Sequence, residues 1–160
     1  MKHRGRRDLA ARLAQLLVIP LARVLAHGDF SRQDAIVPVP LHPRKLRRRG
    51  FNQALELGRA ALRLLRGRAG GEGTARLPAL ERTLLLRTRD TRELGHLGPI
   101  ARLQEVAGAF AVVDPARVRG RRVLLVDDVF TTGATLNECA GVLRVAGARE
   151  VRVVALARAV

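Results

Sequence analysis

Val123-Leu124-Leu125-Val126-Asp127-Asp128-Val129-Phe130-Thr131-Thr132-Gly133-Ala134-Thr135 is the stretch on which the reading of this chain turns. Its first four residues form a continuous apolar run, which suits a strand buried on both faces of a parallel sheet. Two adjacent acids end the run, a short loop of Thr, Thr, Gly and Ala follows, and a helix is expected from about Thr135. Leu136, Cys139, Ala140, Leu143 and Ala146 fall on one apolar stripe of that helix, and Gly147 stands where it should stop. In open α/β sheets ligands sit beyond the carboxyl ends of the strands. A helix N-terminus offers unpaired N–H groups and a positive dipole end to phosphate. Gly133 allows close approach of the backbone, and the threonine hydroxyls add donors. The acids repel phosphate but accept hydrogen bonds from sugar hydroxyls. The order acid, acid, loop, helix therefore suits a sugar phosphate.

Working outward, strands alternate with helices. Ala35-Ile36-Val37-Pro38-Val39-Pro40 reads as a short strand whose prolines put it at an edge or end it early. Leu84-Leu85-Leu86, Ala109-Phe110-Ala111-Val112-Val113 and Val151-Arg152-Val153-Val154-Ala155-Leu156 read as further strands. Asp8 is placed to cap a first helix through Leu9, Leu13, Leu16 and Leu17, which Pro20 should end or kink. Asn52 is placed to cap a helix carrying Leu55, Gly58, Leu62 and Leu65 on one face. The stretch 41–50 reads as a basic loop and 67–73 as a glycine-rich surface loop. Residues 88–107 show no clear period, as expected of a lid or binding loop. The whole, 1–160, reads as one α/β domain with no internal repeat.

Composition narrows the function. The chain has 48% hydrophobic residues but only four Phe and no Trp or Tyr, so its core is aliphatic. A domain of this length buries roughly 70% of its unfolded surface. One cysteine and four scattered histidines give neither a disulfide nor a zinc cage. No apolar run is long enough to cross a bilayer, and no secretory signal is visible, so the expected location is cytoplasmic. The net charge is +16, concentrated in residues 1–68, which hold 16 basic and 4 acidic residues. Such a half-chain suits a polyanion, either nucleic acid or a multiply phosphorylated substrate, or is a solvated arginine-rich surface. The signatures of a P-loop and of a dinucleotide-binding turn are absent.

The quoted run resembles the fingerprint with which type I phosphoribosyltransferases bind phosphoribosyl pyrophosphate (PRPP). Further segments are similar to the ComF branch of that superfamily, which is linked to DNA uptake in competence. They are Val37-Pro38-Val39-Pro40-Leu41-His42-Pro43, Arg47-Arg48-Arg49-Gly50-Phe51-Asn52-Gln53, Gly108-Ala109-Phe110, and Leu143-Arg144 to Gly147-Ala148. Lys2-His3-Arg4-Gly5-Arg6 resembles the opening of the transferase part of those proteins. The cysteine-rich zinc module that begins many relatives is not in this sequence. Where relatives show Gln and then Arg-x-x-Asn before Gly-Ala-Phe, this chain has Leu94 and Arg102-Leu103-Gln104-Glu105.

The resemblance implies a type I phosphoribosyltransferase fold, a mainly parallel sheet flanked by helices. It implies that Asp127 and Asp128 hold the ribose hydroxyls and that Thr131, Thr132, Gly133, Ala134 and Thr135 cradle the 5-phosphate. Arg49 and Gly50 would belong to the pyrophosphate loop. Mg2+ would enter through PRPP and not through direct protein ligands. The implied activity is transfer of ribose 5-phosphate to a nitrogen acceptor with release of pyrophosphate. Two alternatives stand beside it: a nucleic-acid-binding component of DNA uptake, with single-stranded DNA as partner, and a PRPP sensor without catalysis. No general base is assigned, and homo-oligomerisation is left open. Asp90, Glu93 and His96 read as solvated loop residues, and Cys139 as a small core residue.

Overall fold

A computed structural model describes residues 4–74, 77–92 and 97–158. Five helices flank a four-stranded, wholly parallel sheet, and a separate two-stranded antiparallel pair lies beside it. The expected α/β class with a mainly parallel sheet holds.

The chain opens with α1 (Arg4–His27) and enters β1 (Ala35–Pro38). Helices α2 (Pro43–Arg49) and α3 (Gln53–Thr74) follow, then the two-residue strand β2 (Ala79–Leu80). Strand β3 (Leu85–Arg87) pairs antiparallel with β4 (Phe110–Val112) across α4 (Pro99–Val106). A 3-10 turn (Pro115–Arg117) leads into β5 (Arg122–Phe130), α5 (Ala134–Val145) and β6 (Glu150–Arg158). The main sheet runs β2-β1-β5-β6.

Alternation along the two central strands sorts their side chains into two cores, because successive residues point to opposite faces. Ala35, Val37, Val123 and Leu125 join Leu84, Phe110, Leu136, Cys139 and Leu143 on one face. Ile36, Leu124 and Val126 join Leu17, Leu21, Leu57 and Leu62 on the other. Helices α1 and α3 therefore cover one side, while α5 and the β3–β4 pair cover the side that carries the site.

Several local expectations are corrected. Helix α1 begins before Asp8, so Asp8 lies within it rather than at its cap, and the helix continues through Pro20 to His27. Pro20 is on the exposed side, where water can serve the carbonyl it leaves unpaired. Strand β1 ends early but is not an edge strand, lying between β2 and β5. Its pairing with β2 stops at Ile36, so Pro38 falls where no donor is needed on that side. The 41–50 segment is helical over Pro43–Arg49. Pro43 stands in its first turn, the His42 ring accepts from Arg44 N, and Gly50 stops it at φ 80° with its N–H on Leu46 O. The glycine-rich stretch is the last part of α3. The 88–107 region contains α4, so it is not one continuous loop.

Candidate functional site

Strand β5 does not end at the acids. Strand β6 is long enough to extend the ladder to the pair Phe130 and Arg158. The register passes from Asp127–Ala155 to Val129–Ala157, and Asp128 between them has no ladder partner. The two carboxylates instead take backbone amides of their own chain. Asp127 Oδ1 accepts from Asp128 N, and Asp128 Oδ1 accepts from Val129 N, each at 2.9 Å. Both acids remain half-buried at the rim of the sheet.

The turn into α5 is built on one glycine. Gly133 is the N-cap at φ 77°, in the left-handed region that favours glycine. A Cβ there would stand 3.0 Å and 3.1 Å from two ring carbons of Phe130. No side chain caps this end of α5, so its first N–H groups and its positive dipole end face the turn. Asp127, Thr131, Gly133, Ala134 and Thr135 line one small cleft of about 30 Å3, together with Val129, Phe130 and Leu136. The structure thus brings five of the seven fingerprint residues to one place. Asp128 and Thr132 stand next to that cleft in sequence but do not line it.

The electrostatics of the acid pair are uneven. Burial pushes the Asp127 carboxyl from its ordinary 3.8 up to about 7, the nearby Asp128 charge pushes the same way, and the Arg87 guanidinium opposes both. Burial likewise raises the Cys139 thiol well above its usual range, so Cys139 is an inert core residue. Burial lowers Arg87, against the favourable charges of Asp90 and Asp127.

Arg49 and Gly50 lie at the end of α2. The Arg49 guanidinium is exposed and reaches Gln53 Oε1, at the start of α3, at 3.4 Å. A separate cleft of about 380 Å3 opens on another side of α2, lined by Arg44, Lys45, Arg48, Asp90, Thr91 and Arg92. Arg44 and Arg48 are one helical turn apart and share a face of α2, and Arg49 does not line this cleft. Lys45 Nζ is 3.5 Å from Arg92 O. His42 Nδ1 stands 3.6 Å from Asp90 Oδ1. It also accepts the Arg44 N–H at 3.3 Å.

The 88–92 segment is clasped at several points. Arg87 Nη2 donates to Thr91 Oγ1. Arg89 Nη2 donates to the carbonyls of Glu105 and Ala107 at 2.7 and 2.8 Å, and Arg92 N donates to Glu105 Oε1 at 2.8 Å. Glu138 on α5 accepts Gly108 N at 2.7 Å, tying the end of the region to the site helix. Leu94, Glu93 and His96 lie outside the described residues, as do Lys2 and His3. Among the described residues no three His, Cys, Asp or Glu side chains gather to hold a metal ion. No helix among them is long and apolar enough to cross a membrane.

Sequence reading took Arg44, Lys45 and Arg48 only as part of a basic run, solvated or a nucleic-acid patch, and missed Arg87, Thr91 and Arg92. The signal for the first three was helical spacing in a segment read as a loop. For Arg87 it was the strand period, which turns Leu85 and Arg87 inward and leaves Leu86 outside.

A parallel sheet with an acid pair on its central strand, followed by a glycine turn into a helix N-terminus, defines a phosphoribosyltransferase-type α/β protein. Residues 91–159 match the phosphoribosyl transferase domain family. The chain is 36% identical over 148 residues to competence protein F of Haemophilus influenzae, covering 92% of this chain and 60% of that protein. It is 33% identical over 158 residues to the DNA utilization protein YhgH of Escherichia coli K12, covering 99% and 64%. It is 30% identical over 127 residues to competence protein ComFC of Streptococcus pneumoniae, covering 79% and 49%. The chain is therefore similar both to the phosphoribosyl transferase domain family and to these competence and DNA utilization proteins, and it spans less than two thirds of their length.

Proposed function

We propose that this protein binds PRPP as its Mg2+ complex and transfers ribose 5-phosphate to a nitrogen acceptor. The observation that carries the reading is the shared cleft of Asp127 and the glycine-capped start of α5. The helix N–H groups and the hydroxyls of Thr131 and Thr135 suit a 5-phosphate, with Thr132 beside them. The Asp127 and Asp128 carboxylates suit the ribose hydroxyls. The pyrophosphate loop comprises Arg49 and Gly50, and the basic cleft of Arg44, Lys45, Arg48 and Arg92 adds cations for the polyphosphate tail.

In the transfer, the lone pair of the acceptor nitrogen forms a bond to ribose C1. The C1–O bond to pyrophosphate breaks, and its electron pair leaves with pyrophosphate. Mg2+ arrives with the substrate and lowers the charge on that leaving group. The protein's part is positioning and cationic contact.

Calorimetric titration of Mg2+–PRPP into the protein and into Asp127→Asn/Asp128→Asn tests the site. Saturable binding in the parent, lost in the double variant, is the expected result. No binding by the folded parent would overturn the reading. Binding without release of pyrophosphate from PRPP in the presence of any nitrogen acceptor would make the protein a PRPP sensor.

The basic cleft favours a second reading, binding of single-stranded DNA, and relatives named for DNA utilization and competence support it. That affinity should fall steeply with salt, weaken in Arg44→Ala/Arg48→Ala and survive Asp127→Asn/Asp128→Asn.

A further inference from the structure

A cleft of about 600 Å3 opens between the chain leaving β1, helix α2 and the end of β3, and the functional reading leaves it unused. Its size is that of a site for a small organic molecule. Pro40, Leu41, Leu46, Leu55 and Leu86 give it apolar walls. Leu46 and Leu86 are 41% and 47% exposed, apolar surface that an occupant would cover. The cleft begins beside the acid pair. Strand β1 lies next to β5, and Val39 N donates to Val126 O at 2.9 Å, so Pro40 and Asp127 are the next residues along two adjacent segments.

The charge of this cleft is one-sided. Arg82, Arg87 and His42 line it, and among the described residues no Asp or Glu does. Asp90 is 3.6 Å from His42 Nδ1 but lines the basic cleft instead. Asn52 is occupied with Val39 O and Leu55 N, and the Thr88 hydroxyl with Ala109 O. Arg87 is not fully satisfied. It is 9% exposed, and its Nε is a buried nitrogen without a hydrogen-bond partner among the described residues. Thr91 takes one Nη, and the Phe110 ring centre lies 5.2 Å from the guanidinium carbon, so the group is held in place. A buried cation with an open donor costs stability until an acceptor meets it. An anion in the cleft would be that acceptor, and the leucine walls ask that it be carried on an apolar body.

We propose that this cleft binds an aromatic carboxylate, its ring against Leu46 and Leu86 and its carboxylate on Arg87, with the exposed Arg82 at the rim. A phosphate is not what such a site selects, because one buried guanidinium among leucines does not replace the hydration of a doubly charged group. On the PRPP reading the ligand is the acceptor, a heteroaromatic acid whose ring nitrogen attacks ribose C1. That role rests on the PRPP reading, while the binding itself does not.

The probe is 4-fluorobenzoate, followed by fluorine NMR near neutral pH, with 4-fluorobenzamide as its neutral counterpart. Saturable binding of the acid, about tenfold tighter than that of the amide, is the expected result. Leu86 is exposed, so its substitution spares the core. Leu86→Glu should abolish binding by repelling the carboxylate, while Leu86→Gln keeps most of it. Arg87→Gln should erase the preference for the acid, and if it does not fold, the two Leu86 variants decide. No saturable binding by the parent, equal binding of acid and amide, or binding untouched by Leu86→Glu overturns the proposal. Displacement of the probe by an equal concentration of inorganic phosphate also overturns it, since the cleft would then be a phosphate site. Calorimetry with Mg2+–PRPP separates this site from the other. Leu86→Glu should bind PRPP as the parent does. If it loses PRPP and probe together, the cleft is part of the PRPP site and the proposal falls. A parent that binds the probe but no PRPP keeps the carboxylate site and removes the functional reading, the acceptor role with it. Where PRPP binds, heteroaromatic acids should release pyrophosphate and their amides should not, and amides that serve as well as acids overturn the acceptor role.

Discussion

The side-chain amide of Asn52 donates to the carbonyl of Val39 at 2.9 Å, while its oxygen accepts Leu55 N at 3.2 Å. One residue thus caps α3 and holds the chain as it leaves β1. Asn52→Ala removes both bonds and should cost about 1–3 kcal/mol. Asn52→Asp keeps the cap and loses only the donor to Val39, so it should lie between Ala and the parent. Urea unfolding of the three proteins checks the order.

Gly133→Ala meets two obstacles, a left-handed backbone and the Phe130 ring. The expected loss is about 1–3 kcal/mol. Adding Phe130→Ala relieves the ring contact but not the backbone strain. The effects of the two substitutions should therefore fail to add, which a double-mutant cycle of melting temperatures would detect.

Asp127 gives a pH-dependent prediction. Its carboxyl holds a proton more tightly in the fold than in the unfolded chain, with a midpoint near 7 against 3.8. The fold therefore loses stability as pH rises through that window, and the loss is complete above it. Asp127→Asn escapes the loss. It should melt with the parent near pH 4 and melt higher near pH 8, by on the order of 2 kcal/mol, while losing any sugar-phosphate binding. Equal melting differences at both pH values would refute this.

Asp34 clasps the opposite end of the sheet. It is 5% exposed. Its Oδ1 accepts Arg122 N at 2.8 Å, and its Oδ2 accepts Ser31 N at 2.7 Å and the Ser31 hydroxyl at 3.1 Å. Asp34→Ala leaves two part-buried amide bonds unmade and should cost about 1–3 kcal/mol. A denaturant midpoint shifted by less than the equivalent of about 1 kcal/mol would contradict it.

The parts of this protein that were legible in its sequence are those where local chemistry and tertiary packing agree. The run Val123 to Val126, the α5 stripe of Leu136, Cys139 and Leu143, and the stop at Gly147 are of this kind. Asn52 could be read as a cap because its spacing to Leu55 is local. Helix α2 was hidden because it buries no residue, so no apolar stripe marks it, although Pro43 and Gly50 bracket it. The end of α3 was hidden for the opposite reason. Each glycine there costs about 1 kcal/mol in a helix, yet the helix is already anchored upstream by Leu57, Ala61 and Leu62. The reach of β5 past its acids depends on the length of β6, which is a long-range property. The charge on Arg87 could be seen in the sequence, but its burial against Phe110 and Thr91 is made only by folding.

The sorting of β1 and β5 into two cores has an evolutionary side. Substitutions in α1 and α3 act through Ile36, Leu124 and Val126, while those in α5 and the β3–β4 pair act through the alternate residues. Selection can therefore adjust robustness on one face and ligand chemistry on the other almost independently. A lineage could rebuild its N-terminal helices and leave Asp127 on its α5 face in place, whereas Asp128, on the alternate face of β5, would feel the change.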